Sequence, residues 1–346
     1  MNSLPDGNVT KWNSDAPEES EGIVFRKSLG VYTVHSNGKV LQCAISSKLR
    51  KHLEHWWGAS QSPDLHREVR KVHDIREVDP VAIGDRVRFV KASDGGERGG
   101  MIVEVLPRRN RLSRLAAGPK PIEQVIVANV DQVVAVFSVR QPRPKWALLD
   151  RYLAAAEAAG VRALICVTKM DLVRGDDIPD MEVFAMYEGL GYRTLLTSTV
   201  TGEGVKAFAQ AISGRVSVLI GKSGVGKTSL LNAVQPGLGL RVREVSQATG
   251  KGRHTTSHLE MFPLDGGGGV VDTPGMREFG LWHDVSAGGL ASLFVEMRPF
   301  IGTCRFRLDC SHSHEPGCAI KDAVEAGEIA RLRYRNYLRI LDGLRV

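Results

Sequence analysis

Three shifts of pattern along the 346 residues predict a multi-domain protein: an N-terminal all-β barrel, a central α/β domain on a parallel sheet, and a C-terminal helical domain organised by a metal cluster. Short alternating segments separated by turn residues fill positions 22 to about 114, the pattern of a small barrel. Strand and helix patterns then alternate from Gln132 onward, around a glycine-rich turn at residues 221–228. Beyond Trp282 that alternation stops, and Cys304, Cys310, His312 and Cys318 fall within one short stretch. The expected divisions are residues 1–21 as a disordered tail, 22–116 as the barrel, 120–282 as the α/β domain and 283–346 as the metal-binding helical domain.

The tail carries Asp6, Asp15, Glu18, Glu19 and Glu21 against Lys11, with no hydrophobic period to offset the entropy of ordering. In the barrel, residues 24–35 alternate, Lys39–Ile45 answers across Ser36-Asn37-Gly38, and residues 85–90 and 100–106 follow glycine turns. One long polar connection, 51–80, interrupts them, and an oligonucleotide-binding (OB) barrel of five strands fits the length. Lys48, Arg50, Lys51, Arg67, Arg70, Lys71, Arg108, Arg109, Arg111 and Arg114 decorate it, with Trp56 and Trp57 suited to stacking on bases. As a set these favour RNA over the plainer reading of solvated arginines and loop-anchoring tryptophans. The net charge of +7 agrees with an anionic partner.

Gly118-Pro119-Lys120-Pro121 reads as a linker. After it come strands at 132–139, 163–168 and 192–197, and helices at 146–159, 181–190 and 204–212. Arg215–Ile220 alternates into an apolar strand, and Lys227–Val234 is helical up to Pro236. Parallel sheets bind ligands at the carboxyl ends of their strands, so the residues that follow each strand carry the chemistry.

Gly221-Lys222-Ser223-Gly224-Val225-Gly226-Lys227-Thr228 matches the phosphate-loop pattern G-x-x-x-x-G-K-[ST] at every fixed position. Its glycines let successive N–H groups surround a phosphate at the start of a helix. Lys227 is placed to neutralise β- and γ-phosphates, and Thr228, followed by Ser229, to hold Mg²⁺. Thr168-Lys169-Met170-Asp171 resembles the guanine-reading N-K-x-D signature of GTPases, in which the Asp carboxylate accepts two hydrogen bonds from the base. Thr168 stands where Asn is usual, and Lys169 is expected to lay its stem along base and ribose. Thr197-Ser198-Thr199 resembles the loop that meets guanine O6 through backbone.

Asp272-Thr273-Pro274-Gly275 fits D-x-x-G, the Asp supporting Mg²⁺ through water and the Gly amide meeting γ-phosphate. Between the two phosphate signatures, Thr255 and Thr256 lie in a polar loop (248–256) suited to close on Mg²⁺ as a switch segment. GTP or GDP with Mg²⁺ is the implied ligand set. The guanine signature precedes the phosphate loop, whereas ordinary GTPases run the other way; a sheet survives that rearrangement when the cut falls in a surface loop. The sequence therefore describes a circularly permuted GTPase. Met276 occupies the position after D-x-x-G where many GTPases place a water-orienting glutamine, and His254 is the candidate for that role.

Cys304, Cys310, His312 and Cys318, with a turn at Glu315-Pro316-Gly317, suit tetrahedral Zn²⁺ in a closed structural site, His314 being the competing imidazole. A disulfide is the alternative. It is disfavoured by the reducing, cytoplasmic compartment that five cysteines, an odd count, and the lack of a secretory core near Met1 imply. No run approaches the roughly 18 apolar residues of a membrane span, so no membrane partner is expected. From Ala319 the pattern is helical, with Arg331, Arg333, Arg335 and Arg339 interleaved with Tyr334 and Tyr337 as either a solvated face or an RNA contact.

The barrel, the permuted order of 221–228 and 272–275, and the Cys-Cys-His-Cys knuckle closely resemble the bacterial ribosome small-subunit-dependent GTPase A family. Pro107-Arg108-Arg109-Asn110, Gly252-Arg253-His254-Thr255-Thr256 and Pro316-Gly317-Cys318-Ala319-Ile320 agree locally. The resemblance implies a cytoplasmic GTPase, here expected as a monomer, that binds the small ribosomal subunit and its rRNA late in maturation, is stimulated by it and leaves after hydrolysis. It carries zinc ligation to Cys304, Cys310, His312 and Cys318, and catalysis to His254. Departures are Thr168 and one extra residue between Cys304 and Cys310, where the family pattern has four. Since 272–275 leads straight into the zinc segment, loss of γ-phosphate is expected to move the C-terminal element. Competing readings are an RNA-binding scaffold with a regulatory nucleotide site, a permuted GTPase of the large subunit, and an ATP-using enzyme.

Overall fold

The computed structural model describes residues 19–28, 30–47, 49, 81–91, 99–115, 123–175, 178–240, 259–272 and 287–344. Trp56 and Trp57, the basic residues Lys48, Arg50, Lys51, Arg67, Arg70 and Lys71, the loop with His254, Thr255 and Thr256, and Gly275 with Met276 lie outside the described residues.

Strands β1 (Glu19–Ser28), β2 (Val31–Ser36), β3 (Lys39–Ile45), β4 (Arg86–Lys91) and β5 (Gly100–Val105) form the barrel. β1 pairs with β2, β2 with β3, β3 runs parallel to β5, β5 pairs with β4, and β4 returns to β1. This closure is the OB arrangement and removes the open edge. Alternation turns Val24, Val34, Val87, Phe89 and Ile102 fully inward. Two expectations change. Residues 24–35 are two strands, reversed at Gly30, whose φ of +81° suits only glycine without strain. And β1 begins at Glu19, inside the segment expected to be tail. Glu19 and Glu21, two of the acidic residues that suggested disorder, make cross-strand pairs: Arg86 Nη2 lies 3.0 Å from Glu21 and Arg88 Nε 3.5 Å from Glu19.

β6 (Arg111–Leu115) and β7 (Glu123–Ala128) pair antiparallel on either side of the expected linker, so that segment joins two partnered strands. Here too the arginines of the predicted RNA surface act within the chain. Arg108 forks the fully buried Asp85 carboxylate at 2.8 and 2.9 Å, a bidentate pair of the strong kind. Arg109 reaches Asp131 at 2.8 Å, Arg111 reaches Glu123 at 2.8 Å, and Arg114 donates to Gln124 at 2.9 Å. Each of the four has a partner within the chain, while Arg109 and Arg111 keep 64% and 52% of their side chains exposed.

The central sheet is ordered β10-β9-β8-β11-β13-β12, from β8 (Gln132–Ser138), β9 (Arg162–Thr168), β10 (Arg193–Leu196), β11 (Arg215–Ile220), β12 (Glu260–Pro263) and β13 (Gly268–Asp272). All run parallel except β12. Val133, Ala135 and Phe137 of β8 face one layer with α1 (Trp146–Ala158) and α2 (Ile178–Gly189). Val134 and Val136 face the other with α3 (Val205–Ile212) and α4 (Lys227–Val234). A strand buried on both faces reads as the continuous apolar run seen in the sequence. A single pair, Arg26 with Glu260, joins β1 to β12 and makes barrel and central domain one 11-stranded sheet.

The C-terminal region holds α5 (Ala287–Ser292), α6 (Ala319–Glu325) and α7 (Arg331–Leu344) around Leu290, Phe294, Met297, Ile320 and Ile340. Arg333, expected on a basic face, is 1% exposed. It donates to Asp150 of α1 and to Glu296 at 2.6 and 2.9 Å, with its guanidinium 4.5 Å from the Phe294 ring centre. Asp150 also accepts Tyr187 and Asn336, each at 2.6 Å. Burial opposes the Arg333 charge, and the Asp150 and Glu296 carboxylates more than reverse this, so it stays protonated. Tyr334 and Tyr337 are likewise inward, their hydroxyls bonding the carbonyls of His312 and Ser311 at 2.8 Å. Only Arg331, Arg335 and Arg339 of the predicted basic set on α7 are exposed. Among the described residues no helix is long and apolar enough to cross a membrane.

Candidate functional site

The phosphate loop runs from the end of β11 into α4, as its strand, glycine and helix signals require. Gly224 and Gly226 have φ of +81° and +94°. A Cβ at Gly221 would stand 2.3 Å from the carbonyl oxygen of Val136 on neighbouring β8, so no side chain fits there. Lys227, 7% exposed, folds back over the loop and donates to the carbonyls of Gly221 at 2.7 Å and Lys222 at 3.2 Å. Burial lowers its pKa, and the Asp272 carboxylate opposes that. Asp272 closes β13 beside Leu219 of β11, which places the D-x-x-G aspartate at the mouth of the loop.

The guanine-reading segment meets the phosphate loop directly. Thr168, buried, directs its hydroxyl to the carbonyl of Val225, and Lys169, in the left-handed region at φ +61°, donates to the carbonyl of Gly224 at 2.7 Å and to that of Gln141. These two side chains clasp the phosphate loop, a contact the sequence did not suggest. Asp171 is exposed at the site and accepts the Ser198 hydroxyl at 2.6 Å. Ser198 is fully buried, and its oxygen accepts the N–H groups of Val200 and Thr201, each at 3.2 Å. Its own N–H is bonded to Glu203 at 2.9 Å, so its part is to aim Asp171 through the hydroxyl. The sequence placed Ser198 in the right loop and missed this, because only the fold brings residue 198 against 171. Ser198→Ala leaves Asp171 free to rotate and removes a charge-assisted bond of about 1.5–3 kcal/mol. The expected result is GTP affinity reduced roughly 10-fold or more with ATP affinity unchanged, read by titration of both nucleotides.

The second centre is the knuckle. Cys304, Cys310, His312 and Cys318 are all buried, and their donor atoms lie within 4.8 Å of one another. His312 Nδ1 is 3.4 Å from Cys304 Sγ and 3.5 Å from Cys318 Sγ, and those sulfurs are 3.9 Å apart. A tetrahedral ion with bonds of about 2.3 Å to sulfur and about 2.0 Å to nitrogen requires roughly 3.8 Å between sulfurs and roughly 3.5 Å from sulfur to nitrogen. The donor set fits a Zn²⁺ site, and His314 is bonded to Ser313 instead. Glu315 anchors the loop on both sides of His312, accepting the N–H groups of Ser311 and Ser313 at 2.9 and 3.0 Å. Burial raises the Glu315 pKa, and hydrogen bonds from Ser311 and Ser313 outweigh it, holding it at about 2. Cys43 and Cys166 play no such part: burial pushes their thiols up to about 11 and about 12.

Residues 105–282 match the family model described as RsgA GTPase. The chain belongs to the RsgA GTPase family. The small ribosomal subunit biogenesis GTPase RsgA of Gemmatimonas aurantiaca is 43% identical over 275 residues, covering 80% of this chain and 88% of that protein. That of Azotobacter vinelandii is 41% identical over 292 residues, 82% and 81% of the two chains. YjeQ from Thermotoga maritima superposes with a TM-score of 0.72 at 31% identity over 94% of this chain and 99% of that one. YloQ, described as a circularly permuted GTPase, gives 0.67 at 30% identity over 95% and 96%. The permuted order is visible in the sheet itself: the guanine strand β9, earlier in the chain, and the phosphate-loop strand β11, later, flank β8. The family match begins at Val105, in the last residue of β5, earlier than the expected start of the central domain.

Proposed function

We propose that this chain is a GTP hydrolase that binds the small ribosomal subunit and its rRNA late in assembly, is stimulated by it, and is released on hydrolysis. The observation that carries the reading is the clasp of Thr168 and Lys169 on Gly224 and Val225, which fixes guanine selection by Asp171 to the phosphate cradle of Lys227. The names of relatives about 40% identical over most of the chain, small ribosomal subunit biogenesis GTPases, support the ribosomal partner.

In this reading Gly221 to Thr228 and Ser229 surround the phosphates, Asp171 reads guanine, and Thr228 with Asp272 holds Mg²⁺, which when bound offsets the charge building on the departing phosphoryl group. Thr255 and Thr256 complete that shell, the Gly275 amide meets γ-phosphate, and His254 orients the attacking water. Cys304, Cys310, His312 and Cys318 hold a structural Zn²⁺. The protein acts in the cytoplasm as a monomer. GTP turnover titrated with purified small and large subunits tests this. Stimulation by small subunits alone is expected; stimulation by neither, or equally by both, overturns it. His254→Ala is expected to lose the stimulated rate while keeping GTP affinity.

A further inference from the structure

At the edge of the parallel sheet opposite the phosphate loop lies a groove of about 460 Å³. β11, six residues long, separates the two by roughly 20 Å. Three chain reversals lead into this groove and share one construction. α1 ends at Ala158, Gly160 has φ +62°, and Arg162 opens β9. α2 ends at Gly189, Gly191 has φ +92°, and Arg193 opens β10. α3 ends at Ile212, Gly214 has φ +68°, and Arg215 opens β11. The turn calls for the glycine. Nothing in the backbone calls for arginine, yet all three line the same groove and all are exposed.

Strand register fixes their spacing. Arg162 stands opposite Gln132, Ser217 stands opposite Gln132 on the other side, and β10 continues the order beyond β9. Arg193 is level with Leu164, two residues past Arg162, and Arg215 lies two residues before Ser217, so three steps of about 4.8 Å across the sheet and a stagger of about 13 Å along it set the ends of the row roughly 20 Å apart at the backbone. The floor is Gln132, buried and held by donation to Ala211 at 2.8 Å and Ser217 at 2.9 Å. Among the described residues Arg162 and Arg193 have no carboxylate partner, and Arg215 donates to the Ala211 carbonyl at 2.7 Å. Glu157, the one acid in the lining, is taken by Arg298 at 2.6 Å.

A plain account is that the arginines complement the helix C-termini beside them. The magnitudes leave a remainder: each terminus carries about −0.5 charge, about −1.5 for the three, against three full positive charges. With Glu157 neutralised, the groove holds a surplus of roughly +1.5.

We propose that this groove is a second anion site, separate from the nucleotide site, that binds a row of phosphate groups, supplied either by the backbone of single-stranded RNA or by a free polyphosphate. The test uses the full chain, a short fluorescent single-stranded RNA in a salt series, and inorganic triphosphate followed by calorimetry. Each phosphate contact to single strands contributes about 0.7 to the slope of log affinity against log salt, so Arg162→Gln/Arg193→Gln/Arg215→Gln is expected to lower that slope by about 2. The corresponding triple lysine variant keeps it, and GTP affinity stays as in the parent. A fallen slope assigns the site to RNA. Loss of triphosphate binding with an unchanged RNA slope assigns it to a free polyphosphate. If both are unchanged the proposal is overturned and the arginines are dipole partners alone. Should the triple glutamine variant not fold, Arg193→Gln on the edge strand β10 is expected to lower the slope by about 0.7, and no change in either probe there overturns the proposal equally.

Discussion

Arg333→Ala is expected to lower the unfolding free energy by about 3–5 kcal/mol, the cost of stripping one partner from a buried ionic group. Asp150 and Glu296 are both inside, at 0% and 6% side-chain exposure, and without the guanidinium their charges face only each other, Tyr187 and Asn336. The loss is expected to fall on the junction between α7 and α1, since Arg333 and Asn336 both reach Asp150 across it. Urea unfolding followed by tryptophan fluorescence measures the change. Adding Asp150→Asn and Glu296→Gln to Arg333→Met is expected to recover most of the stability, because buried ion pairs often break even with neutral replacements of similar volume. A loss under about 1 kcal/mol for Arg333→Ala would show that the cluster contributes no more than an exposed pair.

Lys227→Ala is expected to reduce GTP turnover by about 10²–10³-fold, the scale for removing one preorganised group that meets transition-state charge. The variant is expected to keep its fold, since Lys227 bonds only loop carbonyls at 2.7 and 3.2 Å and its burial already works against its charge. Gly221→Ala provides the contrast. There a Cβ meets the Val136 carbonyl of an adjacent strand at 2.3 Å, and backbone must move. Loss of turnover with loss of thermal stability is expected for Gly221→Ala, and loss of turnover alone for Lys227→Ala. Wild-type turnover in Lys227→Ala would remove this loop from the reaction.

The central domain was legible because its strands are buried on both faces and its turns carry chemistry that tolerates few residues. Lys227–Val234 and Arg215–Ile220 fall where the pattern placed them, and so do the four donors of the knuckle. β12 was not legible, since Glu260–Pro263 is too short to show a period and has its meaning only as a partner of β13. β6 and β7 were hidden by a Gly-Pro stretch that reads as a domain boundary in one dimension. The partners of the arginines were hidden for a different reason. A guanidinium aimed at Asp85, Asp150 or Glu123 looks the same in sequence as one aimed at RNA, and the partners lie 12 to 183 positions away. The bonds of Thr168 and Lys169 to the phosphate loop were not legible because a linear motif has no means of showing which loop packs against it.

The Arg26–Glu260 pair gives the barrel a short backbone path to the nucleotide site. Glu260 is in register with Arg26 on one side and with Asp272 on the other, so a line of three residues crosses from the barrel wall to the Mg²⁺-side aspartate in two strand spacings, about 10 Å. Their side chains add an ion pair at 4.0 Å, half exposed and weak. A sheet resists bending within its ladders and yields where they are thinnest. Here the ladder between the two domains is one rung long, and the bridge of Ile83 to Val127, with Phe25 and Ile83 packed in the central core, carries the rest of the junction.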